Sequence, residues 1–274
     1  FPAQTLTDMD DTTVLVGTPT KTPKNIGGVI HSLPQLVTYG IDLDTNGKFN
    51  ATTRKDSVLY GSMDGALHLI DDSTGKEQFT FIPKEILDLQ SGALIKSGKT
   101  TDSKLPYGVD APWNVYTTYN ITSNTTGTGT SAVTTNSYVA KQVFASGGLR
   151  MGGSTYYSLD ITNPSTPSLI YSVGSNYANV LQGQASTIYG MKNGIYGNAT
   201  TNTDEQKAYS RMGQTWGKPS VGFVRSGGKK VMVNFLPGGY DTRYETANFA
   251  ADSSNLAQGN AVYMVRVGEE KEDN

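Results

Sequence analysis

Short β-prone runs recur along the chain in three groups that share one plan. Each group opens with a proline ahead of or within the first run, where a residue without a backbone N–H need not join a strand ladder. The first runs cover residues 31–37, 108–115 and 216–221, the second 58–61, 143–147 and 231–234, and the third 66–71, 155–160 and 261–265. This order predicts three repeated β units.

Turn signals separate the third run from a fourth in the first two groups. Asp71 and Asp160 end the third runs, where a carboxylate accepts hydrogen bonds from turn amides. Fourth runs rich in aromatic and aliphatic residues follow at 79–81 and 169–173. Four short antiparallel strands per unit describe a propeller blade. The chain is therefore predicted to be all-β, a partial or modified β-propeller of four-stranded antiparallel blades with long loop insertions.

The spacing of the units leaves room for insertions. Pro34, Pro112 and Pro219 are 78 and 107 residues apart, against roughly 40–50 residues for a lean blade. The extra residues lie at 84–105, where 85–89 favours a short helix, and at 120–136, 174–209 and 238–259. Because propellers carry about 4–8 blades, three cannot close a ring. We expect residues 1–25 to be a linker or part-strand, and residues 26–274 to hold about three recognisable blades of an incomplete ring or of a longer chain.

Composition excludes several classes of function. The formal net charge is −2 and only 17% of residues are charged, so no basic field exists to hold nucleic acid. The 274 residues include no cysteine and two histidines, which excludes thiolate catalysis and disulfides and disfavours a multi-histidine metal site. No apolar run reaches the ~18 residues of a membrane helix. We expect a soluble protein with no membrane span and no nucleic-acid partner.

The sharpest local motif lies between the first and second runs of the first unit. Oxygen-bearing side chains stand at positions 1, 3, 5 and 9 of a segment that starts at Asp42, with a glycine at position 6. The residue at position 7 offers its backbone carbonyl, so this is the first part of a calcium loop. The candidate ligands of a Ca²⁺ ion are Asp42, Asp44, Asn46, Lys48 and Asn50.

Position 12 departs from the calcium-loop pattern. Thr53 stands where an EF-hand has a bidentate Glu. Since Ca²⁺ takes 6–8 oxygens, water or Asp56 would have to complete the roughly five that the segment supplies. The alternative is a hairpin tip whose Asp and Asn residues suit turn geometry. On the residues alone, both interpretations stay open.

Several motifs, taken in order, resemble one family. They are GGVIHSLPQLV, VLYGSMDGALHLIDDSTGKEQFTFIP, YGVDAPWNVY, a Gly-Gly turn before YYSLDITNPS, and WGKPSVG. Together they resemble the β-propeller of the PilC/PilY-type type IV pilus tip proteins, over about residues 27–268. The combination of H-S-x-P, D-G-x-L-H and Y-G-V-D in this order is much more specific for this family than the L-x-x-D-x-x-T-G turn, which occurs in many repeat proteins.

The resemblance implies an exported bacterial protein that is not an enzyme. Proteins of this family prime pilus assembly, counter retraction and attach the cell to surfaces or host cells, a role in virulence. The resemblance thus implies an extracellular location, at the pilus tip or the bacterial outer surface. The implied partners are minor pilins or the tip complex, and a host-cell or abiotic surface. It also favours calcium in the 42–50 segment, because family members often carry an EF-hand-like loop.

Two other functions remain open. The Asp-x-x-Thr-Gly turn at 71–75 also resembles quinoprotein dehydrogenase propellers, whose cofactor needs stacking aromatics, basic groups and usually calcium. The chain has Trp113 and Trp216 but no Arg or Lys cluster aimed at one site. The second alternative is a scaffold whose propeller only docks other pilus subunits.

The remaining candidates are two histidines and two insertions. His68 lies mid-strand and is expected to be a packed side chain, whereas His31 is placed to hydrogen-bond between blades. Neither has a nucleophile partner in the sequence, and the G-x-S-x-G elbow of serine hydrolases is absent. The polar insertion 120–136, expected as a long hairpin tip or a disordered loop, and the tyrosine-rich insertion 174–209 are candidate recognition loops.

Overall fold

A computed structural model describes residues 27–95, 107–175, 188–192, 195–198, 208–209, 211–252 and 257–269. The predicted linker at 1–25 and most of the insertion at 174–209 lie outside the described residues. The rest is mostly antiparallel β-sheet, as the alternating pattern predicts.

The first unit is a four-stranded antiparallel meander. Each strand pairs with the next along the chain. The strands are β1 (Gln35–Asp42), β2 (Lys55–Gly61), β3 (Leu67–Asp71) and β4 (Glu77–Phe81). A helix, α1 (Lys84–Ile95), follows β4 and extends the short helix predicted at 85–89.

The second unit repeats the meander with a much longer first hairpin. Its strands are β5 (Trp113–Thr126), β6 (Val133–Gly147), β7 (Thr155–Asp160) and β8 (Ser168–Ser175). The insertion at 120–136 is the outer part of the β5–β6 hairpin, paired up to Thr126 and Val133. Two further strands, β9 (Ile188–Lys192) and β10 (Ile195–Asn198), extend the sheet beyond β8.

The third unit has three strands among the described residues. They are β11 (Ser220–Ser226), β12 (Lys229–Pro237) and β13 (Val262–Glu269), again antiparallel. Pro34, Pro112 and Pro219 each stand directly before the first strand of a unit, which confirms the predicted position of the prolines. The all-β prediction is confirmed, and the first two units have the four antiparallel strands expected of a blade.

The first two units share one ten-stranded sheet. The end of β1 pairs with the first half of β6, through Gly40 with Val139 and Asp42 with Ser137. This pairing arises because β6 is 15 residues long and β7 pairs only with its last residues, Phe144–Gly147, which leaves the other edge of its first half open to β1. The β5–β6 hairpin thereby lies beside the first unit.

Two hydrophobic cores lie on opposite faces of the second unit. Neighbouring residues of a strand point to opposite faces, and β7 shows this with Tyr156 and Tyr157, both fully buried. Tyr157 belongs to a core with Leu59 and other residues of the first unit. Tyr156 belongs to a core with Tyr263 and other residues of the third unit. The three units therefore stack face to face in an arc, as blades of a partial propeller do.

The two outer faces of this arc carry exposed apolar side chains. Leu36 is 56% exposed, next to the buried Val37 that faces the second unit. On the third unit, Phe235 and Met264 pair across the strands and are 38% and 58% exposed. Within the described residues, nothing covers these faces. No helix of the described part is long and apolar enough to cross a membrane.

Candidate functional site

The segment with the calcium-loop pattern is the tip of the β1–β2 connection. Leu43 bridges Phe49, which closes the tip. One carboxylate oxygen of Asp44 accepts hydrogen bonds from the backbone N–H groups of Asn46 and Lys48, both at 2.8 Å. Gly47 has a φ of +76°, in the left-handed region that glycine adopts without strain. The backbone conformation is that of a tight turn held by Asp44.

The other candidate ligands serve different hydrogen bonds. Asp42 accepts from the Ser137 hydroxyl at 2.6 Å, which ties the loop to β6. The Asn50 side chain accepts from the Thr52 backbone N–H and so caps the short 3₁₀ helix Ala51–Thr53. Thr53, at position 12, accepts from the Asp42 backbone N–H at 2.9 Å.

The side chains of the loop are therefore arranged for turn, cap and cross-strand contacts. Among the residues that the structure describes, no three His, Asp or Glu side chains form a group that could hold a metal ion. The hydrogen bonds named above use one oxygen each of Asp42 and Asp44, and a carboxylate has a second oxygen that can accept or bind a cation. The calcium site stays a prediction.

A cleft of about 470 Å³ opens beside this loop, between β1, the loop and the β5–β6 hairpin. We call it the aromatic cleft, because three of its lining side chains are aromatic. The ring of Phe49 lies 5.7 Å from that of Tyr138, which lies 6.3 Å from that of Tyr119. The lining residues are Thr38, Ile41, Phe49, Ala51, Arg54, Tyr119 and Tyr138.

One edge of the aromatic cleft is polar. Arg54 forms an ion pair of 2.9 Å with Asp56 and donates to the Thr38 hydroxyl at 3.2 Å. Thr38 in turn donates to Asp56 at 2.7 Å. The Tyr119 hydroxyl donates to the Thr38 carbonyl at 2.9 Å, which anchors the long hairpin to β1. The cleft thus combines an aromatic surface with a fixed, charge-balanced pair.

A second cluster joins the three units where their first strands begin. We call it the junction cluster; it consists of His31, Asp110, Arg150 and Trp216. Asp110 is 2% exposed and lies 2.8 Å from Nδ1 of His31 and 2.9 Å from Nη1 of Arg150. The guanidinium carbon of Arg150 lies 4.3 Å from the centre of the Trp216 ring, within the range of a cation–π contact.

The geometry of the junction cluster constrains the state of His31. Nδ1 also lies 2.7 Å from Nη1 of Arg150. A protonated Nδ1 donates to Asp110 and an unprotonated one accepts from Arg150, so it cannot make both bonds at once. Arg150 itself has a φ of +54°, a strained conformation for a residue with a side chain. The cluster thus holds the strained backbone of Arg150 in place and connects all three units. His31 hydrogen-bonds between the first two units, as predicted.

A third cluster surrounds His68. Nδ1 lies 2.6 Å from Glu77, and Nε2 lies 3.0 Å from the Ser62 hydroxyl and 3.3 Å from Asp64. Burial opposes protonation of His68, but the hydrogen bonds and charges of Asp64 and Glu77 raise its pKa. For Asp64, burial is outweighed by hydrogen bonds from His68 and Ser62 and by the His68 charge, which lower its pKa.

The Ser62–His68–Glu77 order resembles a catalytic triad, but the surroundings differ from one. Ser62 is 1% exposed, and two acceptors, Asp64 and the Ala66 carbonyl, lie within hydrogen-bond reach of its one hydroxyl proton. Its proton is therefore directed away from His68. The His68 ring also stacks on Tyr60 at 5.1 Å. His68 is a packed strand residue, as predicted, but its ring contact and its carboxylate partners were not predicted.

Comparison with known proteins gives a weak similarity to a solved structure. No family model matches the chain, and no curated protein matches it. Among solved structures, the chain is similar to the Pseudomonas aeruginosa PilY1 C-terminal domain, with 19% sequence identity and a TM-score of 0.33. The match covers 81% of this chain and 32% of that one. The chain thus spans about a third of the length of the structure that it matches.

Proposed function

We propose that the chain is a non-enzymatic module of a type IV pilus tip protein. In this role it promotes pilus assembly and attaches the cell to surfaces or host cells, with minor pilins or the tip complex as partners. It acts outside the cell, at the pilus tip or the bacterial outer surface. The proposal rests on the motifs quoted above, in their order along the chain.

One observation carries the proposal beyond the list of motifs. The segments HSLP, GVDAP and WGKP, which belong to the resemblance, each precede the first strand of a unit. Three of their side chains, His31, Asp110 and Trp216, meet at Arg150 in the junction cluster. The motifs that resemble the family therefore share one structural role, the joining of successive blades.

The quinoprotein alternative receives no comparable support. Its marker is the Asp-x-x-Thr-Gly turn, and in the structure Asp71 accepts hydrogen bonds from Ser73 and Thr74 within that turn. An Asp in this role stabilises a β-turn in many unrelated proteins. Adding pyrroloquinoline quinone with calcium and following absorbance tests the alternative directly. We expect no change in the cofactor spectrum.

The pilus function is tested by deleting the gene in its source organism and restoring it. We expect the deletion to reduce the number of surface pili, counted by electron microscopy, and to reduce attachment to cells and to glass. Wild-type protein restores both. Normal piliation and attachment in the deletion strain would overturn the proposal. Restored piliation with no effect on attachment at matched pilus number would leave only the docking scaffold.

A further inference from the structure

The aromatic cleft has the size and the construction of a ligand site. Its volume of about 470 Å³ lies within the ~300–1,000 Å³ of small-molecule sites. Three separate chain segments form its walls, namely β1, the 42–50 loop with the residues after it, and the β5–β6 hairpin. The pairing of Gly40 with Val139 and the Tyr119–Thr38 hydrogen bond hold these segments together. The walls are therefore fixed before any ligand arrives.

The aromatic surface of the cleft faces solvent. Phe49 is 65% exposed and Tyr119 is 40% exposed, although both are large apolar side chains that folding usually covers. The three rings form a row rather than a closed stack. Neighbouring rings are tilted by 60° and 78° to one another, so the flat apolar face open to a ligand is that of a single ring, the exposed Phe49. Phe49 therefore stays largely exposed although its ring contacts that of Tyr138.

The polar edge selects against charged ligands. The positive charge of Arg54 disfavours a quaternary ammonium or lysine ligand, which an aromatic cage alone would favour. Asp56 already pairs with Arg54, and Asp42 and Asp44 lie on the adjoining loop. These carboxylates disfavour an anionic ligand. A neutral ligand is the class that the charges permit.

The same edge offers both donors and acceptors. Arg54 makes its ion pair and its bond to Thr38 through Nη2, so Nε and Nη1 point to no partner among the described residues. The Thr38 hydroxyl, which also lines the cleft, accepts from Arg54 and keeps a second lone pair as an acceptor. Paired donors and acceptors next to an aromatic face match a pyranose ring, which has an apolar C–H face and hydroxyl groups around its rim.

We propose that the aromatic cleft binds a neutral saccharide. The sugar ring stacks on the exposed face of Phe49 with Tyr138 beside it, and its hydroxyl groups bind Arg54 and Thr38. A role of this cleft in attachment rests on the pilus function proposed above. Sugar binding by the purified chain does not depend on that function, so the two proposals can fail separately.

The test is ligand-observed saturation-transfer NMR followed by calorimetry on the full chain. The probes are glucose, galactose, mannose, N-acetylglucosamine, lactose and maltose, with choline and sialic acid as charged comparisons. We expect saturable binding of at least one neutral sugar. Phe49→Ala should raise its Kd at least tenfold because the exposed stacking face is lost, and Arg54→Gln should raise it by a smaller factor.

Two further variants keep the experiment decisive. Tyr244→Ala removes a 55% exposed aromatic ring on the third unit, remote in sequence from the cleft, and should leave the Kd unchanged. Ala51 is exposed and lines the cleft. Ala51→Trp therefore places a large ring in the cleft and should abolish binding without removing a native contact. Circular dichroism verifies that each variant is folded. The proposal is overturned by a folded wild type that binds no neutral sugar, by binding of choline or sialic acid alone, or by a Kd unaffected in both Phe49→Ala and Ala51→Trp.

Discussion

The carboxylate of Glu85 accepts a hydrogen bond from the backbone N–H of Ser154 at 3.0 Å inside the protein. Glu85 lies in the first turn of helix α1 and Ser154 stands directly before β7, so the contact joins the helical insertion to the second unit. Gly153 makes room for it, because a Cβ there would lie 2.6 Å from the carboxyl carbon of Glu85. Burial raises the pKa of Glu85 to about 7, although hydrogen bonds from Thr155 and Ser154 act in the opposite direction.

The raised pKa of Glu85 makes stability depend on pH. In the unfolded chain Glu85 loses its proton near pH 4.5, and in the folded protein near pH 7. Between these values the folded state binds more protons, so this group's contribution to the free energy of unfolding falls as pH rises, by about 3 kcal/mol in all. We expect Glu85→Gln to remove this loss. Urea unfolding of both proteins at pH 4.5, 6 and 7.5 measures it.

The control for Glu85 is an exposed carboxylate of the same charge. Asp72 is exposed, and Asp72→Asn should follow the wild-type pH profile. A stability difference between wild type and Glu85→Gln that is the same at pH 4.5 and 7.5 would show that Glu85 does not titrate in this range. Comparing variants cancels the opposite pH dependence of Asp64 and Asp241, whose pKa values are lowered in the folded state.

The His68 cluster predicts a second dependence of stability on pH, which is caused by charged partners and not by burial. Despite the cost of burial, Asp64 and Glu77 raise the pKa of the imidazole above 6.5. The stabilisation by protonated His68 is thus complete below pH 6.5 and is lost as pH rises through the folded-state pKa. Removing one carboxylate with Glu77→Gln should lower the pKa of His68, measured by NMR titration of the ring protons. An unchanged pKa in this variant would contradict the assignment of Glu77 as a partner.

The junction cluster predicts a cost for removing its guanidinium. Arg150→Gln takes a charged donor from the buried Asp110, while His31 still donates to that carboxylate through its backbone N–H at 3.2 Å. We expect the free energy of unfolding to fall by roughly 2 kcal/mol, the usual value of a hydrogen bond to a charged group. Urea unfolding measures it. The control is Arg225→Gln, on an exposed strand position, which should change the free energy of unfolding by less than about 0.5 kcal/mol. If both variants change it by the same amount, the junction cluster does not stabilise the protein.

The strands were predictable because their signals are local. Alternating apolar residues, the prolines before the first strands and the Asp turns after the third strands act over a few residues. Pro112 before β5 and Asp71 at the end of β3 are examples, and both hold in the structure. The sequence also favoured a helix at 85–89, although it gave no sign that Glu85 would be buried, since an acidic residue in a first helical turn is normally solvated.

The sites were less predictable because they depend on contacts between distant segments. His31 lies 79 residues from Asp110, and no spacing rule links the two. The pairing of β1 with β6 depends on how far the β5–β6 hairpin extends, and the aromatic cleft exists only because of that pairing. Phe49 and Tyr138 are ordinary hairpin residues until the fold brings their rings within 5.7 Å.

The side chains of the 42–50 loop have two alternative roles, which are to bind Ca²⁺ or to hold the loop by turn, cap and cross-strand hydrogen bonds. If Ca²⁺ binds the loop, it stabilises the folded state by mass action, and the melting temperature rises with calcium and falls in chelator. The double variant Asp42→Ala, Asp44→Ala should then lose the calorimetric binding isotherm and the shift. Asp71→Ala is the matched control, because Asp71 holds a similar turn in β3–β4 outside the calcium pattern. A wild type with no binding heat and no melting shift would reduce Asp42, Asp44 and Asn50 to the turn, cross-strand and cap contacts that they make here.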